Sequence, residues 1–336
     1  MLLKSIKSMR FNLYIVATIF SLFFCCCKQK SAEAKVVETK KEISTPNFIA
    51  DSAFCYTQKQ LDFGYRIPNT KSHDECAKYL AEELFRFGAD TILQRGKVMA
   101  YDGSYLNITN VIGSFAPEKE RRVLLFAHWD SRPYADNDSD KKNHRKPIAG
   151  ADDGAGSVAV LLEIARQVGI QNTNVGVDFI FFDAEDYGTP YFYEGKEILE
   201  HDWALGAQYW AKNPHTLGYK AEYGILLDMV SGKASSFPCE QVSMHFAPNI
   251  VKKIWNTAEN LGYGTIFPKT NGGSVIDDHF YINLYGIPCV DIIAYYPNTD
   301  TGFPPYWHTI EDDMRNIDKN VMKAVGQTVM EVIYNE

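Results

Sequence analysis

Three short segments of the sequence place acidic side chains or a histidine beside apolar or small residues. The segment Ala151–Gly156 (ADDGAG) holds two adjacent aspartates, and the segment 181–186 (FFDAED) ends an apolar stretch in three acids. The segment 307–309 (WHT) supplies a histidine next to a tryptophan. Carboxylate oxygens together with an imidazole nitrogen are a ligand mixture that zinc accepts. The three segments therefore predict a metal site assembled from distant parts of the chain.

Both acidic pairs have a simpler interpretation, which their sequence context makes less favourable. A single aspartate often caps a helix, but Asp152 and Asp153 are adjacent, and a cap needs only one carboxylate. Acids such as Glu185 and Asp186 are often solvated loop residues, but these two follow the apolar residues 179–182 closely. Because their mutual repulsion near the edge of the core would be costly, the pattern favours a bound cation.

The histidine also has a structural alternative, since an isolated histidine is most often satisfied within the fold. His308 follows Tyr306 and Trp307, however, and Phe303 lies close by in the sequence. Such a group of aromatic residues is typical of a ligand pocket. We therefore interpret His308 as a metal ligand beside an aromatic pocket.

Apolar periodicity divides the chain into alternating strands and helices. Strands are predicted at 91–99, 105–115, 122–127, 177–182, 224–230 and 287–294. Helices are predicted at 48–63, 72–87, 156–168, 203–211, 248–261, 278–284 and 320–334. This alternation predicts an α/β fold, namely a single-domain α/β sandwich with a mostly parallel central sheet flanked by helices. The continuous apolar character of 122–127 indicates a central strand.

The residues that could do chemistry fall where predicted strands end. Four strands are followed, directly or after a loop, by acidic or imidazole groups, which are His128 and Asp130, then Asp183, Glu185 and Asp186, then Asp228, and finally His308. In open α/β sheets, ligands bind beyond the carboxyl ends of the strands. This convergence predicts one site, and it is stronger evidence than any single motif.

The first 46 residues are predicted to lie outside the folded domain. Basic residues precede an apolar run at 11–24, which is short for a membrane span and typical of a secretory signal. The run ends at Cys25, Cys26 and Cys27, which resembles the lipobox of bacterial lipoproteins. We predict a signal peptide with a lipoprotein-like cysteine end at 1–27, with a plain signal peptide as the alternative. The polar stretch 28–46 predicts a flexible tether.

This arrangement predicts an exported protein of the bacterial cell envelope, either periplasmic or on the surface. Its membrane contact would be limited to an amino-terminal lipid anchor on one of the three cysteines. The chain of 336 residues is 46% hydrophobic with a net charge of −8, which is ordinary for a globular protein and argues against a nucleic-acid partner. Cys55 and Cys76 lie in neighbouring predicted helices and either pair or remain free thiols. The sequence leaves the oligomeric state open.

The motifs GADDGAG, FFDAED, LLDMV, IDDHF and FPPYWHT, in this order and spacing, resemble the glutaminyl-peptide cyclotransferases of the animal type, especially their bacterial relatives. The similarity covers roughly residues 48–336, and these enzymes resemble the co-catalytic zinc aminopeptidases in fold. The resemblance implies that residues 47–336 form a zinc-dependent cyclase domain with one zinc per chain. Its substrates would be peptides or proteins with an amino-terminal glutamine, which is converted to pyroglutamate with release of ammonia.

The resemblance also implies a ligand set. The zinc ligands correspond to Asp153, Asp186 and His308. The family has a glutamate at the second of these positions, so the shorter aspartate requires the metal or the strand to sit slightly closer. A two-zinc aminopeptidase is the rival interpretation, because His128 and Asp228 match the second-metal ligands of that class. A binding module on an inactive hydrolase fold is a third alternative, against which the intact ligand set argues.

Further roles follow from the same resemblance. Glu185 corresponds to the general acid and base, Asp228 to a buried aspartate of the hydrogen-bond network, and Asp277 to the aspartate that contacts the leaving amide. Trp307 and Phe303 correspond to the aromatic pocket. The pocket tryptophan that follows the zinc ligand in the animal enzymes has no counterpart at 187–193. Its possible substitutes are Tyr191, Phe192 and Tyr193.

Overall fold

A computed structural model of the protein describes residues 43–194 and 200–336. The predicted signal peptide at 1–27 and most of the predicted tether therefore lie outside the described residues. The described part of the chain contains no helix that is both long and apolar enough to cross a membrane.

A single sheet of six strands forms the centre of the molecule. The strands are β1 (Asp90–Met99), β2 (Tyr105–Phe115), β3 (Arg122–His128), β4 (Gly176–Phe182), β5 (Tyr223–Asp228) and β6 (Cys289–Ile293), in the order β1-β2-β4-β3-β5-β6. Strands β4, β3, β5 and β6 are parallel, whereas β2 is antiparallel to both β1 and β4. The predicted α/β fold is confirmed, with a mixed sheet whose site-bearing part is parallel.

Eight α-helices accompany the sheet in the described residues. They are α1 (Ala50–Leu61), α2 (Lys71–Arg86), α3 (Ser157–Ile170), α4 (Leu205–Lys212), α5 (Gln241–Phe246), α6 (Pro248–Asn260), α7 (Asp278–Tyr285) and α8 (Lys319–Tyr334). The predicted elements recur with shifts of a few residues at their ends. Helix α5 was not predicted, because six residues are too few to display an apolar period.

Both faces of the sheet are covered by helices, as the alternation of side chains along each strand requires. Leu125 of β3 and Phe179 of β4 belong to the core on the side of α1, α2, α3, α6 and α8. Their neighbours Leu124 and Ile180 belong to the core on the side of α4 and α7. Strand β3 is buried on both faces between β4 and β5, so the prediction of a central strand from its apolar run is confirmed.

The register of the parallel strands brings their carboxyl ends to one edge. His128 at the end of β3 pairs with Phe182 at the end of β4, and Asp228 at the end of β5 pairs with Ile293 at the end of β6. The residues that follow these four positions therefore all leave the sheet at the edge formed by the carboxyl ends of the parallel strands.

Candidate active site

The acidic turn Ala151–Gly156 divides its two aspartates between anchoring and chemistry. Asp152 is fully buried and accepts hydrogen bonds from the backbone and hydroxyl of Ser231 at 2.8 and 2.7 Å and from the Tyr306 hydroxyl at 2.8 Å. The backbone N–H groups of both aspartates donate to the carboxylate of Asp312. The turn is thus fixed on two sides, and the side chain of Asp153 is left to face the cavity.

Glycine is required within this turn. Gly154 has a φ of +97°, and a Cβ there would lie 2.8 Å from the carbonyl oxygen of Asp130 and 3.0 Å from the His128 ring. The left-handed conformation and the close approach both exclude a larger side chain without a shift of the backbone. The close contact places His128 directly behind Asp153.

The predicted ligands Asp153, Asp186 and His308 come together in the structure. The Nε2 of His308 lies 3.0 Å from Asp186 Oδ1 and 3.5 Å from Asp153 Oδ2, and one donor atom from each residue lies within 4.8 Å of the others. All three residues are buried, and Asp153 Oδ2 and Asp186 Oδ2 have no hydrogen-bond partner among the described residues. Burial and the positive charge of Arg132 lower the pKa of His308 to about 3, so its imidazole is neutral. Two orphaned carboxylates with a neutral imidazole fit a catalytic zinc.

A buried arginine orients this ligand group, and sequence reasoning did not find it. Arg132 forms two 2.8 Å hydrogen bonds with Asp136 and donates to the backbone carbonyl of Asp186 at 2.9 Å. An Asp136 oxygen lies 3.6 Å from Nδ1 of His308, on the side of the ring away from the other ligands. Such outer contacts fix the ring orientation of a metal-binding histidine. In the sequence, this pair is indicated only by an arginine that stands four residues before an aspartate, shortly after the end of β3.

The remaining acids behind β3 and β4 have structural roles. Asp183 is turned away from the site and contacts Nε2 of His73 at 2.8 Å. Asp130 accepts hydrogen bonds from the backbone N–H groups of Glu185 and Asp186 at 3.0 and 3.2 Å. These bonds fix the segment that carries Glu185, the predicted general acid and base, and Asp186, a predicted zinc ligand.

Glu185 lines the cavity together with the two other predicted catalytic carboxylates, Asp228 and Asp277. Burial and the neighbouring carboxylate of Asp277 raise the pKa of Glu185 well above its ordinary value. Burial and neighbouring acids likewise raise the pKa of Asp228 to about 6 and that of Asp277 to about 7. A carboxyl group whose pKa is raised in this way is suited to exchange protons with a substrate.

One carboxylate oxygen of Asp277 accepts a hydrogen bond, and the other has no hydrogen-bond partner among the described residues. Asp277 is the N-cap of α7, and its Oδ1 accepts from the backbone N–H of Asp278. Its Oδ2 is buried in the cavity wall without a hydrogen-bond partner among the described residues. A carboxylate oxygen in this condition is available to a hydrogen-bond donor of a substrate.

The cavity has a volume of about 300 Å³ and an aromatic wall. Trp307 is half-buried and stacks on the ring of His308 at 3.6 Å, and Phe303 packs against Trp307 at 4.6 Å between ring centroids. The predicted pocket residues therefore line the cavity. Trp203 also lines the cavity and lies parallel to the His308 ring, with 6.0 Å between ring centroids, and the Arg132 guanidinium lies 4.6 Å from the centroid of the Trp203 ring.

Trp203 occupies the wall for which the sequence suggested Tyr191, Phe192 or Tyr193. Tyr191 is exposed, Phe192 packs against Tyr134, and Tyr193 packs against Tyr101, and none of the three lines the cavity. Sequence reasoning placed Trp203 at the start of a helix and gave it no role. Its signal was a single tryptophan within the polar stretch EHDWA.

Residues with a left-handed backbone cluster around this cavity. Ala184, Met229 and His308 have φ values of 52°, 48° and 54°, and Ala204, which follows Trp203, has 52°. This conformation costs about 1–2 kcal/mol for a residue other than glycine, and such strain is concentrated at functional sites. Each of these residues is a site residue or is adjacent to one.

A second group of metal-type ligands shares Asp153 with the first. Nε2 of His128 lies 3.0 Å from Asp153 Oδ1 and 3.3 Å from Asp228 Oδ1, and the three residues are buried. The geometry therefore offers positions for one or two metal ions. The ligand set alone does not separate the two predicted enzyme classes.

The fold agrees with that of the relatives of the chain. The chain belongs to peptidase family M28, whose family model matches residues 110–333. It is similar to a crystal structure of a Bacteroides thetaiotaomicron glutaminyl cyclase bound to N-acetylhistamine, with 56% identity, a TM-score of 0.85 and coverage of 87% of this chain and 100% of that one.

Two further relatives represent both enzyme classes. A structure described as a leucine aminopeptidase precursor from B. thetaiotaomicron is 55% identical, with a TM-score of 0.85 and coverage of 88% of this chain and 99% of that one. The glutaminyl-peptide cyclotransferase of Bos taurus is 22% identical over 311 residues, which are 80% of this chain and 79% of the relative.

Proposed function

We infer that this protein is a zinc-dependent glutaminyl-peptide cyclotransferase, which converts the amino-terminal glutamine of peptides and proteins to pyroglutamate and ammonia. The observation that carries this assignment is the free Oδ2 of Asp277 in an aromatic cavity that also contains Glu185 and the Asp153–Asp186–His308 group. A cyclase needs such an acceptor, because the nitrogen that leaves is a carboxamide NH₂. The similarity to bacterial and animal cyclases agrees with it.

Glu185 moves the proton in this reaction. The neutral α-amine attacks the γ-carbonyl carbon, a C–N bond forms, and Glu185 accepts a proton from the amine. The bond to the carboxamide nitrogen then breaks, and Glu185 returns the proton to that nitrogen, which departs as ammonia. Zinc bound by Asp153, Asp186 and His308 would supply a Lewis acid for the γ-carbonyl oxygen.

The other site residues hold the substrate. Asp277 accepts a hydrogen bond from the leaving nitrogen, and Trp307 and Trp203 form apolar walls for the methylene groups of glutamine. Amine and carbonyl belong to one residue, so the protein contributes mainly orientation and exclusion of water. A cavity of about 300 Å³ suits a single side chain with its amino group.

A two-zinc aminopeptidase is the second candidate, and the His128–Asp153–Asp228 group favours it. In that enzyme a second metal ion would occupy this group and Glu185 would activate a water molecule. We propose instead that the protein binds one zinc, because the two histidines differ in charge. Burial opposes a charge on His128, but its contacts with Asp130, Asp153 and Asp228 outweigh burial and raise the pKa of His128 well above its ordinary value, whereas the pKa of His308 is lowered.

Metal content and substrate choice test this assignment together. Purified protein should contain about one zinc per chain, cyclise a glutaminyl fluorogenic peptide and leave the leucyl analogue intact, with elemental analysis performed on the same sample. Two equivalents of metal, of which one is lost in His128→Ala, combined with release of leucine, would assign the protein to the aminopeptidases.

Glu185→Gln should abolish nearly all turnover while the zinc remains bound. The amide keeps the size of the side chain but cannot accept the amine proton, and a general base contributes about 10²–10⁴-fold. Steady-state kinetics and elemental analysis of the variant measure both effects. A zinc-loaded variant with normal rates would exclude this role, and loss of zinc would make Glu185 a ligand.

Trp307→Ala should lower kcat/KM by about tenfold or more with little change in Tm, because the side chain is half-buried and forms a wall of the cavity. The matched control is Trp255→Ala, in the core at 1% exposure, which should cost about 3–5 kcal/mol of stability. Thermal melts and peptide kinetics separate the two cases. A Trp307→Ala variant that cyclises normally, or that unfolds, would contradict the pocket role.

We also propose that the mature protein is exported and anchored by a lipid on Cys25, Cys26 or Cys27, with residues 28–46 as a polar tether. The basic start, short apolar run and terminal cysteines of the sequence support this proposal. Mass spectrometry of native protein should find an acylated cysteine as the first residue. An unmodified amino terminus beyond Cys27 would refute the anchor without affecting the enzyme assignment.

A further inference from the structure

A second buried polar cluster lies directly behind the cavity wall. It consists of Asp277 at the cap of α7, His279 in the first turn of α7, Asp291 within β6 and Glu240 at the cap of α5. All four residues are at most 3% exposed. One donor atom from each of Asp277, His279 and Asp291 lies within 4.8 Å of the others. Only Asp277 of this cluster also lines the cavity.

Glu240 is a fixed anion. Its carboxylate accepts hydrogen bonds from the backbone N–H groups of Val242, Ser243 and Val275 at 2.8, 2.6 and 3.1 Å. Burial opposes its charge, but contact with His279 and these N–H groups outweighs burial and lowers the pKa of Glu240 to about 2. Nε2 of His279 lies 3.3 Å from Glu240 Oε2. Glu240 therefore places a negative charge beside one nitrogen of the imidazole.

The other side of the imidazole faces carboxylates that lack partners. Nδ1 of His279 lies 3.8 Å from Asp291 Oδ2. Neither oxygen of Asp291, nor Oδ2 of Asp277, has a hydrogen-bond partner among the described residues. Asp277 and Asp291 are buried carboxylates with oxygens within 4.8 Å of each other, and a close approach of buried like charges is unfavourable. The imidazole of His279 lies within the same distance of both carboxylates.

We propose that His279, held by Glu240 and Asp291, is a positioning residue for the cyclisation: its imidazole fixes the carboxylate of Asp277 against the cavity, so that the leaving nitrogen meets an oriented acceptor. The proposal rests on the assigned cyclase activity. His279 touches no substrate, and its whole effect is transmitted through Asp277.

A double-mutant cycle tests this coupling in the full-length, zinc-loaded protein. His279→Leu should lower kcat by about 10²-fold, the effect of a misplaced group of the site, while KM for a glutaminyl peptide changes little. The same substitution in an Asp277→Asn background should cost little more, because its effect has already been removed. Equal losses of kcat in the two backgrounds would overturn the proposal.

Conservative variants separate the two contacts of the ring. The amide nitrogen of His279→Asn reaches the place of Nδ1, the nitrogen on the side of the carboxylates, and should retain most of kcat, whereas His279→Gln replaces only Nε2 and should not. The nearly isosteric Asp291→Asn should lower kcat in the protein that retains Asp277 but not in the Asp277→Asn variant. If His279→Leu does not fold, Asp291→Asn provides the test instead. Normal kcat in a folded Asp291→Asn and a folded His279→Leu would overturn the proposal.

Two controls separate positioning from a loss of stability and from a loss of metal. Asp178 lies in β4, and its buried carboxylate is paired with Arg122 and Tyr219. Asp178→Asn removes this carboxylate and should lower Tm without changing kcat. Zinc content should be the same in His279→Leu and wild type, and loss of a metal equivalent would replace the positioning role with a metal site. A wild-type protein that does not cyclise glutamine would contradict the assigned function itself, which the variants do not test.

Discussion

The burial of several carboxylates at one edge of the sheet is the constraint on which the site depends. Parallel strands bring their ends together, so the acids that follow them share a small and poorly hydrated volume. Such a cluster is stable only when positive charge or protons compensate it. Arg132 supplies a permanent charge beside Asp186, and His128 faces Asp153. The orphaned oxygens that remain face a point where a metal ion would complete the balance.

Strained backbone residues at the strand ends direct the side chains of this carboxylate cluster. A strand that continued in extended conformation would direct successive side chains alternately to the two faces of the sheet. A left-handed residue after β4, Ala184, and another after β5, Met229, break that alternation. Glu185 then points into the cavity while Asp183 turns back to His73. The hydrogen bonds of Asp130 to the following backbone N–H groups hold the strained turn in place.

Local signals account for what could be predicted from the sequence. The apolar run of β3 revealed a central strand, and acids at strand ends indicated the site, because both properties are encoded within a few neighbouring residues. The roles of Trp203, Arg132 and His279 depend on contacts with segments distant in sequence, such as Asp291 for His279, and no local period reveals them. Sequence reasoning likewise could not decide the state of Cys55 and Cys76, which the structure shows as free thiols.

The wall of the cavity, and not the ligand set, separates the chemistries available to this fold. Asp153 belongs to both metal groups, so the same ligands can serve a cyclase or an aminopeptidase. A hydrolase must admit water to the carbonyl, whereas a cyclase must exclude it and bend the substrate upon itself. Trp203 and Trp307 both lie nearly parallel to the His308 ring in the cavity wall, and Oδ2 of Asp277 has no hydrogen-bond partner among the described residues. In this chain the residues that would distinguish a cyclase from an aminopeptidase are therefore the aromatic and carboxylate residues of the cavity wall that lie outside the two ligand groups sharing Asp153.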